Sequence, residues 1–406
     1  MAACWKGATD GMKEFLSKLR RMDWILSACM MALIVMGVVF INSAGSVRPT
    51  DALRSLWRVH ASTALFGLAV YMAFAVLDYR KLLDLGALPV FALSCAMLVL
   101  VLVVGTDRFG GRRWLWFFQP SEIAKLAVIL FAAHVFAAPG RNDFRSFLAG
   151  AAILGGPAVL VLAEPDLGTA LVLVPSVLAI LLAARVWLKG LVTLLAVGLL
   201  AAGLVLWAVD RAEREPDPDA RAKIYRFVPL REHQIKRLRV FLFPESDRTG
   251  DGYTLRQAQI AVGSGGIWGK GLKKGSQKLL GYLPSTVSMN DFIFAVLAEE
   301  SGFMGVLLML ALFMGILGPG LRIAIRCPDD RGRLVVIGIL TLIFCHLYVN
   351  VAMSLGLVPI TGLPLPFISA GRTFLIVLMA ALGIVQSVAI HHAELPDDDR
   401  DVEQPT

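Results

Sequence analysis

The sequence predicts an all-α polytopic membrane protein with about ten transmembrane helices and a large extracytoplasmic loop between the seventh and eighth. Hydrophobic residues make up 57% of the 406 residues and charged residues only 17%, whereas a soluble domain carries about 25% charge. The mean hydropathy is +0.70. Apolar runs of about 20 residues recur, the length at which a helix crosses the hydrocarbon core. Because lipid offers backbone polar groups no partners, these runs must be helical.

Hydropathy places the ten spans and the long loop. The predicted spans are 24–45, 57–77, 82–105, 121–139, 146–163, 166–185, 190–209, 303–325, 334–357 and 372–391. Pro165 separates the fifth span from the sixth, since proline breaks a helix. Residues 210–302 form the loop, in which we expect short amphipathic or re-entrant pieces packed on the bundle.

Lys and Arg in the short loops set the orientation. They fall mostly on the side of the N-terminus, which we assign to the cytoplasm together with the C-terminus. We interpret residues 1–23 as a loosely ordered basic extension, 24–392 as one membrane domain and 393–406 as a disordered cytoplasmic tail. The net charge of +8 is explained by this topology, so no nucleic-acid partner is predicted.

Cysteine and histidine spacing gives no sign of a metal or disulfide framework. The five cysteines are scattered without a CxxC pair, and the six histidines are dispersed along the chain. We therefore predict neither a disulfide framework nor a metal site.

Glu122 and Lys125 form the first charged cluster at the mouth of a span. Pro120 suits the first turn of this helix, and an i,i+3 spacing puts both charges on one face. An ion pair with a snorkelling lysine would explain them. The other interpretation is a cation, oriented by Glu122, that is presented to an anion such as a pyrophosphate.

Asp166 and a pair of arginines lie at the same level of the membrane. Asp166 begins the sixth span, where a carboxylate is favoured by the helix dipole. Capping alone would explain it, and a Lys125–Asp166 pair across helices is the alternative. Arg112 and Arg113 precede a run of aromatic residues, which indicates an interfacial belt or a grip on lipid phosphates.

The long loop and its end hold further candidates. Asp291 opens the apolar stretch DFIFAVLA, and a partly desolvated carboxylate there is a candidate general base. Glu299 and Glu300 follow two turns later and are expected to pack against basic groups. Gly269-Lys270 is followed by Gly271, so the Walker motif is not met. Lys270 is left as a candidate for an anionic headgroup.

Residues 354–371, SLGLVPITGLPLPFISAG, carry three prolines and three glycines between the last two spans. This composition predicts a non-helical re-entrant segment. Such backbone is tolerated at membrane depth only where protein buries it or where it lines a cavity.

Five segments in order resemble the SEDS family (shape, elongation, division, sporulation) of RodA and FtsW glycosyltransferases. They are GRRWLWFFQPSEIAKL, EPDLGTAL, PESDRTGDGYTLRQAQIAVGSGGIWGKGLKKGSQKLLGYLP, DFIFAVLAEESGFMG and VPITGLPLPFISAG. Together they cover the chain from about Arg112 to Gly371. The phrase PITGLPLPF is more similar to the RodA elongation branch than to the FtsW division branch.

The resemblance implies a peptidoglycan glycosyltransferase that polymerises lipid II outside the bacterial cytoplasmic membrane. Asp291 stands at the family's proposed catalytic carboxylate. Lys125, held by Glu122 and Asp166, would stabilise the leaving undecaprenyl pyrophosphate. The resemblance also implies a class B penicillin-binding protein as partner, with membrane lipids around the chain.

Three further site residues are assigned from their charge and position. The basic side chains Arg112, Arg113 and Lys270 complete the candidate substrate site. No cofactor is assigned, and assistance by a divalent cation is left open.

Three alternatives and three departures accompany this hypothesis. A flippase for lipid-linked precursors or a division-specific polymerase would carry similar spans, and a recruiting scaffold would not depend on Asp291. The interval between Arg113 and the QPSE motif is short for the family, and the stretch before Asp291 is long. The segment from Ser369 to Thr373 reads SAGRT in place of the usual SYGGS.

Overall fold

The computed structural model describes residues 13, 15–46, 54–108, 111–115, 118–138, 140, 142–164, 166–228, 230–284 and 288–392. The predicted tail, 393–406, lies outside them. Within the predicted basic extension, residues 15–20 are helical.

Helices dominate the described residues, and one short hairpin accompanies them. The helices are α1 (Trp24–Gly45), α2 (Leu56–Val76), α3 (Tyr79–Val104), α4 (Pro120–Phe136), α5 (Phe144–Ala163), α6 (Leu167–Ala183), α7 (Leu188–Glu213), α8 (Pro218–Arg226), α9 (Glu232–Leu242), α10 (Asp251–Ser264), α11 (Ser276–Leu279), α12 (Ile293–Arg326), α13 (Asp330–Ser354) and α14 (Arg372–His391). A 3₁₀ turn covers Pro244–Ser246, and strands β1 (Thr106–Arg108) and β2 (Gly111–Trp114) pair antiparallel.

The predicted polytopic helical fold is confirmed. In the described part of the chain, eight helices are long and apolar enough to cross a membrane: α1, α2, α3, α5, α7, α12, α13 and α14. The other two predicted spans are α4 and α6, each of 17 residues. At 1.5 Å per residue these helices are about 26 Å long, at the lower limit for a span.

The long loop is built from the short helices that its sequence predicts. Helices α8 to α11 all lie within residues 210–302, although α7 extends one turn further than expected, to Glu213. A small apolar cluster joins α9, α10, the start of α12, the end of α13 and the segment after it. Its members include Val240, Leu255, Phe292, Met353 and Ile360. The loop is therefore packed on the bundle rather than extended into solvent.

Helix α12 is broken near its start, at Gly302. The backbone of Gly302 has φ 65° and ψ −165°, which glycine alone adopts readily. The amides of Phe303 and Met304 donate to the carbonyl oxygens of Gly266 and Ile267, at 2.8 and 3.1 Å. The loop thus accepts hydrogen bonds from two amides that have no helical acceptor because of the break. The predicted span at 303–325 begins directly after Gly302.

Helices α13 and α14 lie in the middle of the bundle. Most of the apolar window of each is buried, 67% in α13 and 89% in α14. Helix α14 packs along α2, and α13 contacts α4, α6 and α12. Polar side chains on the inner faces of α13 and α14 are consequently removed from lipid.

Candidate active site

The segment from Leu355 to Gly371 is non-helical and largely buried, as its prolines and glycines predict. Surrounding side chains satisfy its backbone. Asn350 Nδ2 donates to the carbonyl oxygen of Leu363 at 2.7 Å, and His60 Nε2 lies 3.2 Å from that of Phe367. Irregular backbone inside the bundle is stable because protein groups replace the missing helical partners.

Asp291 lies against this segment, two residues before α12. Asn350 Nδ2 also donates to the carbonyl oxygen of Asp291, at 2.9 Å. Ser369 Oγ donates to Asn290 O at 2.7 Å, and the amide of Ala370 donates to Met289 O at 3.1 Å. Two of these hydrogen bonds join the residues before Asp291 to the re-entrant segment, and the third ties Asp291 itself to Asn350 of α13.

The carboxylate of Asp291 faces Gly362, and so does a guanidinium that the sequence does not single out. A β-carbon placed on Gly362 would lie 3.6 Å from Asp291 Oδ2 and 3.8 Å from Arg237 Nη2. Arg237 Nη1 donates to the carbonyl oxygen of Thr361 at 2.9 Å. The half-buried carboxylate of Asp291 and the guanidinium of Arg237 therefore both lie next to Gly362. A side chain at position 362 would contact both of them.

Asp166 caps α6 beside the same segment, as the sequence predicts. Its Oδ1 accepts from the amide of Thr169 at 3.1 Å, and its Oδ2 accepts from Thr169 Oγ1 at 2.9 Å and from Gln119 Nε2 at 3.2 Å. A β-carbon on Gly168 would lie 3.1 Å from Thr361 O. The start of α6 and Asp291 therefore meet the re-entrant segment within a few residues of each other.

Lys125 is buried at the start of α4, with 1% of its surface exposed. Its Nζ lies 2.8 Å from Glu122 Oε2, which confirms the predicted pairing of these two side chains. The expected partner across helices differs, because Lys125 Nζ contacts His346 Nε2 at 3.0 Å while Asp166 is held by Thr169 and Gln119. The ring of Phe374 lies 5.3 Å from the ammonium.

Helix α13 contacts both Lys125 and Asp291. His346 contacts Lys125, and Asn350, one turn further along, holds the backbone of Asp291. Because a helix sets the separation of residues four apart, the two candidate catalytic charges are positioned by a single rigid element.

Lys270 has a different environment from the one expected. Its ammonium donates to Ser264 Oγ at 2.7 Å, to Ser276 Oγ at 2.5 Å and to Glu299 Oε1 at 2.7 Å. These three contacts use all three donors of a lysine. Lys270 therefore holds the loop onto α12, and its contact with an anionic headgroup stays a prediction.

Glu299 and Glu300 pack against basic groups, as predicted. Glu300 Oε1 lies 2.5 Å from Lys278 Nζ, with both side chains fully buried. Ser43 Oγ donates to the other oxygen of Glu300 at 2.6 Å. Burial lowers the pKa of Lys278, although the hydrogen bond from Lys278 to Glu300 opposes this shift. This buried pair joins α1, the loop and α12.

Arg112 and Arg113 lie on β2, within the short hairpin. Their side chains are outside the part of the structure that is described, so their predicted role stays a prediction.

Three residues that line or hold the site were not predicted: Arg237, His346 and Asn350. A signal existed for His346 and Asn350, since polar groups four apart inside an apolar span are costly without partners.

The fold and site define a polytopic membrane protein with a carboxylate held beside a re-entrant segment and a buried lysine, each contacted by a polar residue of α13. The sequence profile of the FtsW, RodA and SpoVE family, described as cell cycle protein, matches residues 23–394. The chain belongs to this family.

Individual relatives agree with this assignment. Peptidoglycan glycosyltransferase MrdB of Escherichia coli K12 is 34% identical over 94% of this chain and 97% of its own. Among solved structures, a chain from work on the structural coordination of polymerization and crosslinking by a peptidoglycan synthase complex is similar, with a TM-score of 0.72. That chain is 27% identical, over 92% of this chain and 99% of its own. Rod shape determining protein RodA of Thermus thermophilus has a TM-score of 0.63 and is 26% identical, over 95% of this chain and 98% of its own.

Proposed function

We propose that this protein is a peptidoglycan glycosyltransferase, which polymerises lipid II into glycan strands at the outer face of the bacterial inner membrane. Its family membership and the names of its relatives support the activity. The observation that carries the proposal in this chain is the position of Asp291. A hydrogen bond from Asn350 holds its backbone, and its carboxylate lies against Gly362, beside Arg237.

In the proposed reaction, the carboxylate of Asp291 accepts the proton of the acceptor's sugar hydroxyl. The hydroxyl oxygen then forms a bond to the anomeric carbon of the donor. The bond between that carbon and the pyrophosphate oxygen breaks, and undecaprenyl pyrophosphate leaves with the electron pair. A positioned general base accelerates such a step by about 10²–10⁴-fold.

Negative charge develops on the leaving pyrophosphate, and the cations near the site are proposed to stabilise it. Lys125 is held by Glu122 and is therefore oriented before the substrate binds. Arg237 is the second cation, since it faces the same glycine as Asp291. Asp166 contributes by fixing the start of α6 against Thr361. Preorganised cations act most strongly where water is excluded.

The proposed orientation puts both termini in the cytoplasm and the loop from 210 to 302 outside. It rests on the distribution of Lys and Arg among the short loops. In this orientation Asp291 lies at the outer face of the membrane, on the same side as the sugars of lipid II.

We further propose that the protein acts in cell elongation, together with a class B penicillin-binding protein that crosslinks the strands. The similarity to RodA of T. thermophilus and to MrdB of E. coli favours elongation over division. The similarity to a chain of a peptidoglycan synthase complex favours a crosslinking partner.

Reconstitution tests the activity directly. Detergent-purified protein is incubated with purified lipid II, alone and with the candidate class B partner, and the products are separated by length. We expect glycan strands, in larger yield with the partner. A folded protein that makes no strands in either reaction would contradict the proposal and favour a lipid-linked precursor transporter.

A further inference from the structure

His346 is a fully buried histidine on α13, and its ring has two polar neighbours. Its Nδ1 lies 3.0 Å from the carbonyl oxygen of Leu342, and its Nε2 lies 3.0 Å from Lys125 Nζ. A carbonyl oxygen only accepts hydrogen bonds, so Nδ1 carries the proton. Nε2 therefore presents its lone pair to the ammonium, and the imidazole is neutral.

The ammonium of Lys125 has two polar neighbours in the protein. It forms an ion pair with Glu122, 2.8 Å from Oε2, and it donates a hydrogen bond to His346 Nε2 at 3.0 Å. The ring of Phe374 packs against the imidazole at a centroid distance of 4.9 Å and limits its movement. His346 therefore takes one N–H of the lysine, while Glu122 balances its charge.

We propose that neutral His346 is a positioning residue for Lys125, which together with Glu122 holds the ammonium in place to stabilise the leaving pyrophosphate. The inference rests on the proposed function. The ion pair with Glu122 attracts the charge of the ammonium without fixing the direction of its N–H groups, whereas the acceptor on His346 fixes one of them. A cation that is already oriented needs no reorganisation when negative charge develops on the substrate, so it stabilises that charge more strongly.

The same contact makes the site sensitive to acid. A protonated imidazole has no lone pair at Nε2 and would place a second positive charge beside the ammonium. The charged groups that face the ring are Lys125 and, through it, Glu122, both on α4, while α14 contributes the apolar ring of Phe374. Protonation of His346 should therefore lower the rate of polymerisation.

Three variants separate positioning from packing. His346→Gln keeps an acceptor within reach of Lys125, and His346→Met keeps the volume without a comparable acceptor. Thr341→Val is the matched control on the same helix, because Thr341 Oγ1 donates only to Ile337 O, at 2.8 Å. Rates and KM for lipid II are measured together with thermal melting of each purified protein.

We expect His346→Met to lower kcat roughly tenfold with KM and melting close to wild type, and His346→Gln and Thr341→Val to keep near-wild-type kcat. If His346→Met does not fold, His346→Gln still tests the inference, because its retained acceptor should keep kcat near the wild-type value. A wild-type kcat in His346→Met, or a tenfold loss of kcat in folded His346→Gln, would overturn it. A wild-type protein that makes no strands would instead overturn the proposed function.

Discussion

At the scale of the residue, the amide of Asn350 ties Asp291 to a distant part of the chain. Its two N–H groups donate to the carbonyl oxygens of Asp291 and Leu363, and the side chain is fully buried. A buried carbonyl oxygen that loses its donor costs about 1–3 kcal/mol. The backbone of the proposed general base therefore depends on a residue that does not touch the substrate.

Replacement of Asn350 by leucine tests this dependence. The change keeps the branching of the side chain and removes both donors, so we expect unfolding to become easier by about 2–4 kcal/mol and strand synthesis to fall. Melting in detergent and lipid II turnover are the measurements. Ser176→Ala is the control, since this buried serine donates only to its own helix, at Val172 O. Unchanged melting and turnover in Asn350→Leu would show that the amide does not position Asp291.

Local spacing predicted part of the site at this scale. The pairing of Glu122 with Lys125 follows from a separation of three residues on a helix, and the capping role of Asp166 follows from its place before α6. The contacts of His346, Asn350 and Lys270 join elements far apart in the chain, so they depend on tertiary packing that spacing does not contain.

At the scale of the element, the break in α12 joins the long loop to a membrane span. A β-carbon on Gly302 would lie 2.3 Å from the amide nitrogen of Gly269 and 2.6 Å from Ile267 O. The loop backbone approaches so closely because both positions are glycine. Hydropathy predicted the spans, but it could not reveal how the loop closes onto α12, nor the hairpin of β1 and β2.

Substitution of Gly302 by alanine is expected to disrupt this junction. The added methyl group clashes with the loop backbone, and a positive φ is strained for alanine, which alone costs about 1–3 kcal/mol. Gly318→Ala is the matched control in the same helix, where nothing lies within 4 Å of the added carbon. Limited proteolysis of the loop from 265 to 282 should accelerate in Gly302→Ala only. Equal cleavage of the two variants would refute the role of the break.

At the scale of the whole molecule, the hydrophobic pattern was enough to predict the fold class. Ten apolar runs become ten helices because lipid permits no other backbone arrangement. The site forms where one non-helical segment enters the bundle. The prolines and glycines of this segment predicted that it would not be helical. What converges on it could not be predicted, because the start of α6, Arg237 on α9 and Asp291 come from three separate stretches of chain.

The proposed orientation is tested by labelling single cysteines in intact cells. All five native cysteines are replaced, and a new cysteine is placed at Lys274 in the long loop or at Asp330, the first residue of α13, just after the end of α12. A membrane-impermeant maleimide should label Lys274→Cys in intact cells, and Asp330→Cys only after permeabilisation. The reverse pattern would mean that the long loop faces the cytoplasm and that the proposed orientation is inverted.

The most direct test of the central claim compares wild type with Asp291→Asn in the polymerisation of purified lipid II. Asp247→Asn is the control, because Asp247 lies in the same loop but caps a turn through the amides of Gly250 and Asp251. We expect strands from wild type and Asp247→Asn, and a rate at least about 10²-fold lower in Asp291→Asn, with all three proteins folded. Wild-type strand synthesis by Asp291→Asn would contradict its assignment as the general base.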